Sequence, residues 1–355
     1  MLDVVLLRRQ PRLCALLEHA LKGMAHRFVP PGAALRDRRV LLAAAVDEGG
    51  MDGQTLRFLR RLRTESDAMR GSIAAVLVDG TGELYTKQVA QELVYAANRA
   101  GCLFPGKPAL EGTGSLYNQH ILAQQRGMSL EETYFCRARE LVQRLAAFVP
   151  PRFANPRLLV LHASERGRSS TLWLWDQLRP RLDPAIVSCE VTLQNGTVHD
   201  CRGCSYRTCL HFAQNGSCFY GGALSETVLP AIRDCDAMLF LCPNYNDAVS
   251  ANVTALFNRL TSLLLRGDLH QKYLFGMVVS GYSGSDLVAR QLLGAMCLNK
   301  TAMLPPQFCL TETANDLAAM QALPHIPAKL DAFAQCMERA LLPTVESDKN
   351  QGGDS

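Results

Sequence analysis

The sequence predicts an α/β protein built from two doubly wound parallel-sheet domains in tandem, the first of them degenerate. Three observations support this. Short apolar runs alternate with stretches of helical periodicity through both halves of the chain. Pro150, Pro151 and Pro156 interrupt that alternation near the middle, where no helix can continue. In the second half, three apolar runs lead into polar segments that carry glycine or proline, and open α/β sheets bind their ligands at the carboxyl ends of strands.

Taken in order, residues 39–46 are expected as a strand, 53–62 as a helix, 73–78 as a strand and 84–100 as a helix. After the prolines, 157–162 is a short apolar strand, and 170–178 has helical spacing that stops before Pro180. Residues 186–193 alternate as a strand does. A helix at 225–232, a strand at 237–242, a long amphipathic helix at 249–265, a strand at 273–280 and a helix at 287–298 follow. A last strand is placed at 303–310 and a final helix at 326–342. The domains are accordingly set at 1–149 and 157–342, with a disordered polar tail at 343–355. The first half echoes the second. Thr55-Leu56 opens a helix as Thr171-Leu172 does, Asn98-Arg99 closes one as Asn258-Arg259 does, and Gly112-Thr113-Gly114-Ser115 falls where residues 281–285 fall. An ancestral duplication explains these matches; chance likeness between α/β units is the alternative.

At 355 residues the chain exceeds what one core usually fills, which agrees with two domains. A net charge of +4 is slight, and Arg57, Arg60, Arg61 and Arg63 at helical spacing read as a solvated face rather than a nucleic-acid footprint. No apolar run has the length of a membrane span, and the N-terminus lacks the order of a secretory signal. A soluble, cytoplasmic protein without nucleic-acid or membrane partners is expected.

The first polar segment, Ser164-Glu165-Arg166-Gly167-Arg168-Ser169-Ser170-Thr171, stands between a strand and a helix. Free N–H groups and the positive dipole end of the helix favour an anion there. Ser164, Ser169, Ser170 and Thr171 add hydroxyls, and Arg166 and Arg168 add charge, a donor set suited to a phosphate dianion. A helix cap alone accounts for only one hydroxyl. The segment is neither a Walker loop nor a dinucleotide glycine fingerprint. In the second segment Pro243 fixes the exit from the strand, Tyr245 offers a ring for stacking, and the amides of residues 244–247 are expected to face a ligand's polar edge. An ordinary turn with Asn246 and Asp247 capping the next helix is the alternative. In the third, Gly281, Ser283 and Gly284 either admit a close backbone approach or simply turn the chain. A phosphate loop beside a ring-binding loop points to flavin mononucleotide. The first half has Asp47-Glu48-Gly49-Gly50-Met51-Asp52 where the phosphate loop is expected, and its carboxylates repel a phosphate. At the second loop it has Asp79-Gly80-Thr81-Gly82-Glu83, without proline or aromatic ring.

These residues carry a resemblance. Over about residues 157–310 the chain resembles the flavodoxin-like NAD(P)H-dependent FMN reductase family. Its members have a Gly-Ser-x-Arg loop after the first strand, a Ser-Pro-x-Tyr loop after a central strand and a glycine-rich loop after the next. Here stand Ala163-Ser164-Glu165-Arg166, Cys242-Pro243-Asn244-Tyr245 and Gly281-Tyr282-Ser283-Gly284, with Ala163 in place of glycine and Cys242 in place of serine. The resemblance implies FMN phosphate on Ser164, Arg166, Ser169, Ser170 and Thr171, and the ring near Pro243, Asn244, Tyr245, Asn246, Gly281, Ser283 and Gly284. It implies NAD(P)H on the exposed face of the ring and no catalytic side chain, since positioning and the cofactor's own reactivity suffice.

Cys201, Cys204, Cys209 and Cys218 form C-x2-C-x4-C-x8-C, with His199 and His211 close by. Such soft ligands suit zinc or an iron–sulfur cluster. The iron–sulfur flavoproteins, relatives within the resembled family, carry a tighter motif. A redox-active thiol pair and a plain inherited loop are the alternatives.

The reading is an FMN-dependent oxidoreductase that passes hydride from NAD(P)H through FMN to an unidentified acceptor, a small molecule or a protein. Its rivals are an electron-transfer flavoprotein with a metal or cluster at the four cysteines, and a non-catalytic scaffold that kept the fold. The first half is expected as a built-in partner that covers the flavin as a second subunit would. Its 84–100 helix, with Val89, Leu93, Val94 and Ala97, would pack on the 249–265 helix, with Val253, Leu256, Phe257 and Leu260, giving an intramolecular pseudo-dimer; a homodimer, or helices that each simply cover their own sheet, are the alternatives.

Overall fold

The computed structural model describes residues 1–194, 198–267 and 269–343, so the tail expected at 343–355 lies outside the described residues from 344 onward. The first half begins one unit earlier than its apolar runs predict. β1 (Leu2–Leu6), α1 (Pro11–Leu21) and β2 (His26–Val29) precede β3 (Arg39–Val46). β1 contains Asp3, a carboxylate only 2% exposed that accepts from Arg27 Nε of β2 at 2.6 Å, and a charge within so short a run hides the strand. β2 is polar and mostly exposed. α2 (Gly53–Thr64), β4 (Ile73–Gly80), α3 (Thr86–Arg99), β5 (Ala109–Gly112), α4 (His120–Arg126) and α5 (Leu130–Ala147) complete this half. Its strands form one parallel sheet in the order β2-β1-β3-β4-β5. β3 and β4 are buried from their second residue onward, as central strands covered on both faces are.

The second half runs β6 (Arg157–His162), α6 (Ser170–Leu178), β7 (Val187–Thr192), α7 (Tyr206–Ala213), α8 (Leu229–Asp234), β8 (Ala237–Pro243), α9 (Ala251–Arg259), α10 (Thr261–Arg266), β9 (Tyr273–Ser280), α11 (Ser285–Leu293), β10 (Cys309–Thr313), α12 (Leu317–Gln321) and α13 (Ile326–Leu341). The sheet is again parallel, in the order β10-β9-β8-β6-β7. Counted from their own first strands, the two sheets have the same order, that of flavodoxin-like folds. The helix expected at 249–265 breaks at Leu260 into α9 and α10. The strand expected at 303–310 starts only at Cys309, because Met303 and Leu304 make single bridges to Tyr273 and Phe104 instead.

The missed unit shifts every correspondence between the halves. The loop at 47–52 follows the third strand of its sheet and not the first, so it matches the loop at 243–248. Both make a tight turn closed by an antiparallel bridge, Asp47 with Gly50 and Tyr245 with Ala248. The loop at 79–83 matches the one at 281–285, and residues 112–115 match 314–316 rather than 281–285. The counterpart of the phosphate loop is the short connection from Leu7 to Pro11, which has arginines and no hydroxyl.

The halves meet through reciprocal contacts. Phe104 N donates to Leu304 O at 2.9 Å, and Leu304 N donates to Phe104 O at 3.0 Å. Each stands after a matching parallel bridge, Ile73 with Leu103 and Tyr273 with Met303, and the residues Lys107 and Gln307 are both left-handed. α3 packs on α11, its own counterpart, and not on the 249–265 helices as expected. Gln91 Nε2 of α3 donates to Arg290 O, Arg290 pairs with Glu92, and Asn98 Nδ2 donates to Pro305 O at 2.6 Å. Like units facing like units is the arrangement of a twofold subunit contact, made here within one chain. One hydrophobic cluster runs through the seam, from Val40 and Leu93 to Leu256 and Leu292. The proline segment is tied down as well, with Phe153 N donating to Leu341 O at 2.7 Å.

Candidate functional site

A cavity of about 730 Å³ opens at the carboxyl rim of the second sheet. The connection from β6 to α6 forms one wall. Ser169 caps α6, accepting from Leu172 N at 3.3 Å, and its Oγ lies 2.9 Å from Thr171 Oγ1. Ser164, also at this wall, is 5% exposed, and its buried Oγ has no hydrogen-bond partner among the described residues. A buried hydroxyl without a partner is costly. Ser164, Arg168, Ser169, Ser170 and Thr171 all line the space.

Arg166 does not. Its guanidinium forks to Asp176, with Nη1 at 2.9 Å from Oδ1, and to Glu190. Glu190 in turn accepts from Trp175 Nε1 at 3.1 Å and stands 3.2 Å from His162 Nε2. Burial raises the Glu190 carboxyl, but Arg166 and His162 outweigh it, and the carboxyl titrates below its usual range. Arg166 therefore braces the loop from outside, and the cation presented to the cavity is Arg168.

The second and third loops are tied to each other. Asn244 N donates to Val279 O at 2.8 Å, and its Nδ2 donates to Ser280 Oγ and Ser283 O, each at 3.0 Å. Asn244 Oδ1 accepts from Asp247 N at 2.7 Å. Tyr245 N and Ala248 N exchange bonds with each other's carbonyls, at 3.0 and 3.1 Å, around Asn246 and Asp247, both at positive φ. The amides of Asn244, Tyr245 and Asp247 are thus consumed in building the turn and cannot face a ligand, contrary to expectation. Pro243, Asn244, Tyr245 and Gly281 line the cavity, whereas Asn246, Ser283 and Gly284 are not among its lining residues. Tyr245 is 51% exposed, so its ring is open for stacking.

Gln194, Val279 and residues 314–316 also line the cavity and were missed by sequence reasoning. Gln194 Nε2 donates to Ser164 O at 2.8 Å and joins β7 to the first loop. Residues 314–316 follow β10, and the signal for them was available, since the carboxyl end of a fifth parallel strand lies at the same rim. No lining residue comes from the first half, so it does not cover this cavity as a second subunit was expected to.

At the matching rim of the first half, side chains occupy the space. Arg12 donates to Asp79 Oδ1 at 2.9 Å and to the carbonyls of Gly80, Thr113 and Gly114 at 2.6, 3.0 and 3.2 Å. Arg8 pairs with Asp47 at 2.5 Å. Asp47 and Asp52, two of the carboxylates expected to repel a phosphate, instead hold Arg8. Asp79 is fully buried, and burial raises its pKa despite Arg12.

The four cysteines line one small cavity of about 30 Å³ with Phe212 and Phe219. Cys204 Sγ lies 3.3 Å from Cys209 Sγ, and that hydrogen bond together with burial pushes the Cys209 thiol up to about 11. Cys201 is exposed, and among the described residues no group of three or more His, Cys, Asp or Glu side chains is arranged to hold a metal ion. The zinc and iron–sulfur expectations find no support in this geometry. Among the described residues no helix is long and apolar enough to cross a membrane.

No curated protein matches the chain. Among solved structures, an azoreductase from Bacillus anthracis str. Sterne is 13% identical, covers 52% of this chain and 99% of its own, and superposes with a TM-score of 0.38. An NAD(P)H:quinone oxidoreductase from Methanothermobacter marburgensis is 15% identical, covers 53% of this chain and 94% of its own, with a TM-score of 0.33. The model of the NADPH-dependent FMN reductase family matches residues 156–315, which span β6 to β10 and every residue of the cavity except Asp316. Residues 156–315 therefore form a domain of the NADPH-dependent FMN reductase family.

Proposed function

We propose that the chain is an NAD(P)H-dependent FMN oxidoreductase whose flavin sits in the rim cavity of residues 157–342, beside a degenerate copy of the fold in residues 1–149. The observation that carries this is a single cavity walled by all three loops, with the hydroxyl-bearing residues of the first loop gathered on one side of it. A terminal phosphate suits it, because hydroxyls of Ser169, Ser170 and Thr171, the Arg168 guanidinium and the first-turn N–H groups of α6 converge on the same wall. FMN is favoured over FAD because the chain has no dinucleotide glycine fingerprint to hold an adenylate.

The bound flavin supplies two-electron chemistry, taking hydride from the nicotinamide and passing reducing equivalents to an acceptor. The protein's part is to bind and orient. Tyr245 packs on the ring, Asn244 fixes the distance between the second and third loops, and Gly281 keeps that wall free of a side chain. The open rim leaves one side of the site accessible to a nicotinamide nucleotide and then to the acceptor.

Full-length protein titrated with FMN should take up one equivalent, and anaerobic NADPH or NADH should bleach the flavin absorbance. Ser164→Ala should weaken FMN binding with an unchanged far-UV circular dichroism spectrum. A protein that takes up no flavin would leave the scaffold reading in its place.

A further inference from the structure

A second cavity, of about 310 Å³, lies in the seam between the halves, away from the rim. α3 of the first half contributes Tyr95 and Arg99, and β10 and α13 of the second contribute Phe308, Cys309, Lys329 and Phe333 among others. Phe308 just ahead of β10 and Phe333 on α13 are buried, which makes aromatic walls. Arg99 and Lys329 add positive charge to the lining, and among the described residues no lining residue is acidic.

Three features bear on what this space could hold. Tyr95 is only 7% exposed and lines the cavity, and its hydroxyl is not among the side-chain atoms sealed from solvent. Burial pushes that phenol up to about 12, so it stays protonated and can donate. Arg99 has its guanidinium 5.9 Å from the Tyr95 ring and no ion-pair partner among the described residues. Arg290 approaches the same ring but is taken by Glu92 and Asp286. Lys329 is partly spoken for, donating to Glu312 Oε2 at 2.7 Å and Thr311 O at 2.6 Å. Finally, β10 is an edge strand. Gly276 N bonds Phe308 O on the inner side, which turns the N–H groups of Cys309 and Thr311 outward.

We propose that the seam cavity is a binding site for a small aromatic carboxylate, its ring between the apolar walls and its acid group on the Tyr95 hydroxyl and the Arg99 guanidinium. A protonated phenol beside an unpaired guanidinium selects an anion with acceptor oxygens over a neutral molecule. The volume is at the lower end for a small-molecule site and suits one or two fused rings. Inorganic phosphate would satisfy the donors and leave the aromatic walls unused.

The test is calorimetric titration of the full-length protein, in the presence of FMN, with 2-naphthoate, with neutral 2-naphthamide and with inorganic phosphate. Naphthoate should bind, and the amide and phosphate should bind at least roughly tenfold more weakly, the size of one charge-assisted hydrogen bond. Tyr95→Phe and Arg99→Gln should each lower naphthoate affinity by about the same factor while the flavin absorbance stays unchanged. Tyr95→Phe keeps the ring, and Arg99 is exposed, so neither change removes core packing. Equal binding of acid and amide, tighter binding of phosphate, or naphthoate affinity indifferent to both substitutions would overturn the proposal.

Discussion

Arg166 and Arg168 flank Gly167, and the sequence offers no means of telling which faces the phosphate. The answer rests on Glu190, a strand away in β7, which captures Arg166 together with Asp176. Arg168→Ala should weaken FMN binding by about 1.5–3 kcal/mol, the value of a hydrogen bond to a charged group. Arg166→Ala should change FMN binding far less, and stability by about 1 kcal/mol or less, because its ion pairs are largely solvated. Titrating both variants with FMN separates the two roles. The hydroxyls were legible because four of them around one helix start exceed what capping requires. Arg12 was not, since its partners Asp79, Gly80, Thr113 and Gly114 come from strands distant in sequence. Asp79 gives a second prediction. With its folded pKa raised by burial, its contribution to stability is fully present below the ordinary aspartate range and is lost as pH rises through the folded value. The melting temperature of Asp79→Asn should therefore gain on that of the unmodified protein as pH rises from acid towards neutral. A gap that narrows in that direction would show that the Arg12 pair dominates instead.

The loop at 243–248 decides geometry by its backbone. Asn246 and Asp247 have φ of 52° and 61°, the pair of left-handed residues that a type I′ turn needs. Asn246→Gly should keep the turn and FMN affinity, whereas Asn246→Val should lower stability by about 1–2 kcal/mol and weaken flavin binding through the displaced Tyr245. Thermal melts and FMN titrations of the pair check this; equal behaviour would mean that the loop tolerates another turn. At this scale the strands were the most legible elements. The 157–162 and 273–280 runs match β6 and β9 to the residue, because buried parallel strands are continuously apolar. The short, charged and exposed strands were hidden for the opposite reason. Asp3 finds Arg27 only once β1 and β2 lie side by side, and no local pattern announces that pairing. Missing β1 in turn displaced the loop-by-loop comparison of the halves.

The whole molecule depends on whether two like halves behave as one. Asn98 is completely buried at the seam and binds on both sides of it. Its Nδ2 donates to Cys102 O at 3.0 Å and to Pro305 O at 2.6 Å, its Oδ1 accepts from Phe308 N at 3.1 Å, and its carbonyl accepts from Gln307 N at 3.0 Å. The shared apolar cluster and the exchanged bonds between Phe104 and Leu304 add to this. A seam of this kind couples the halves, and the full chain should melt in one transition followed identically by circular dichroism and by release of FMN fluorescence. Asn98→Ala removes the side-chain partners of the Phe308 N–H and the Pro305 carbonyl at the seam, at a cost of about 1–3 kcal/mol. Loss of that coupling should split the melt, the flavin-bearing half then unfolding at its own temperature. If the Asn98→Ala protein still melts in a single transition shifted by less than its sister substitution at an exposed asparagine, the halves are held by the apolar cluster alone. The degenerate first half would then contribute to stability through burial, and the polar network at the seam would serve only to set the register in which α3 meets α11.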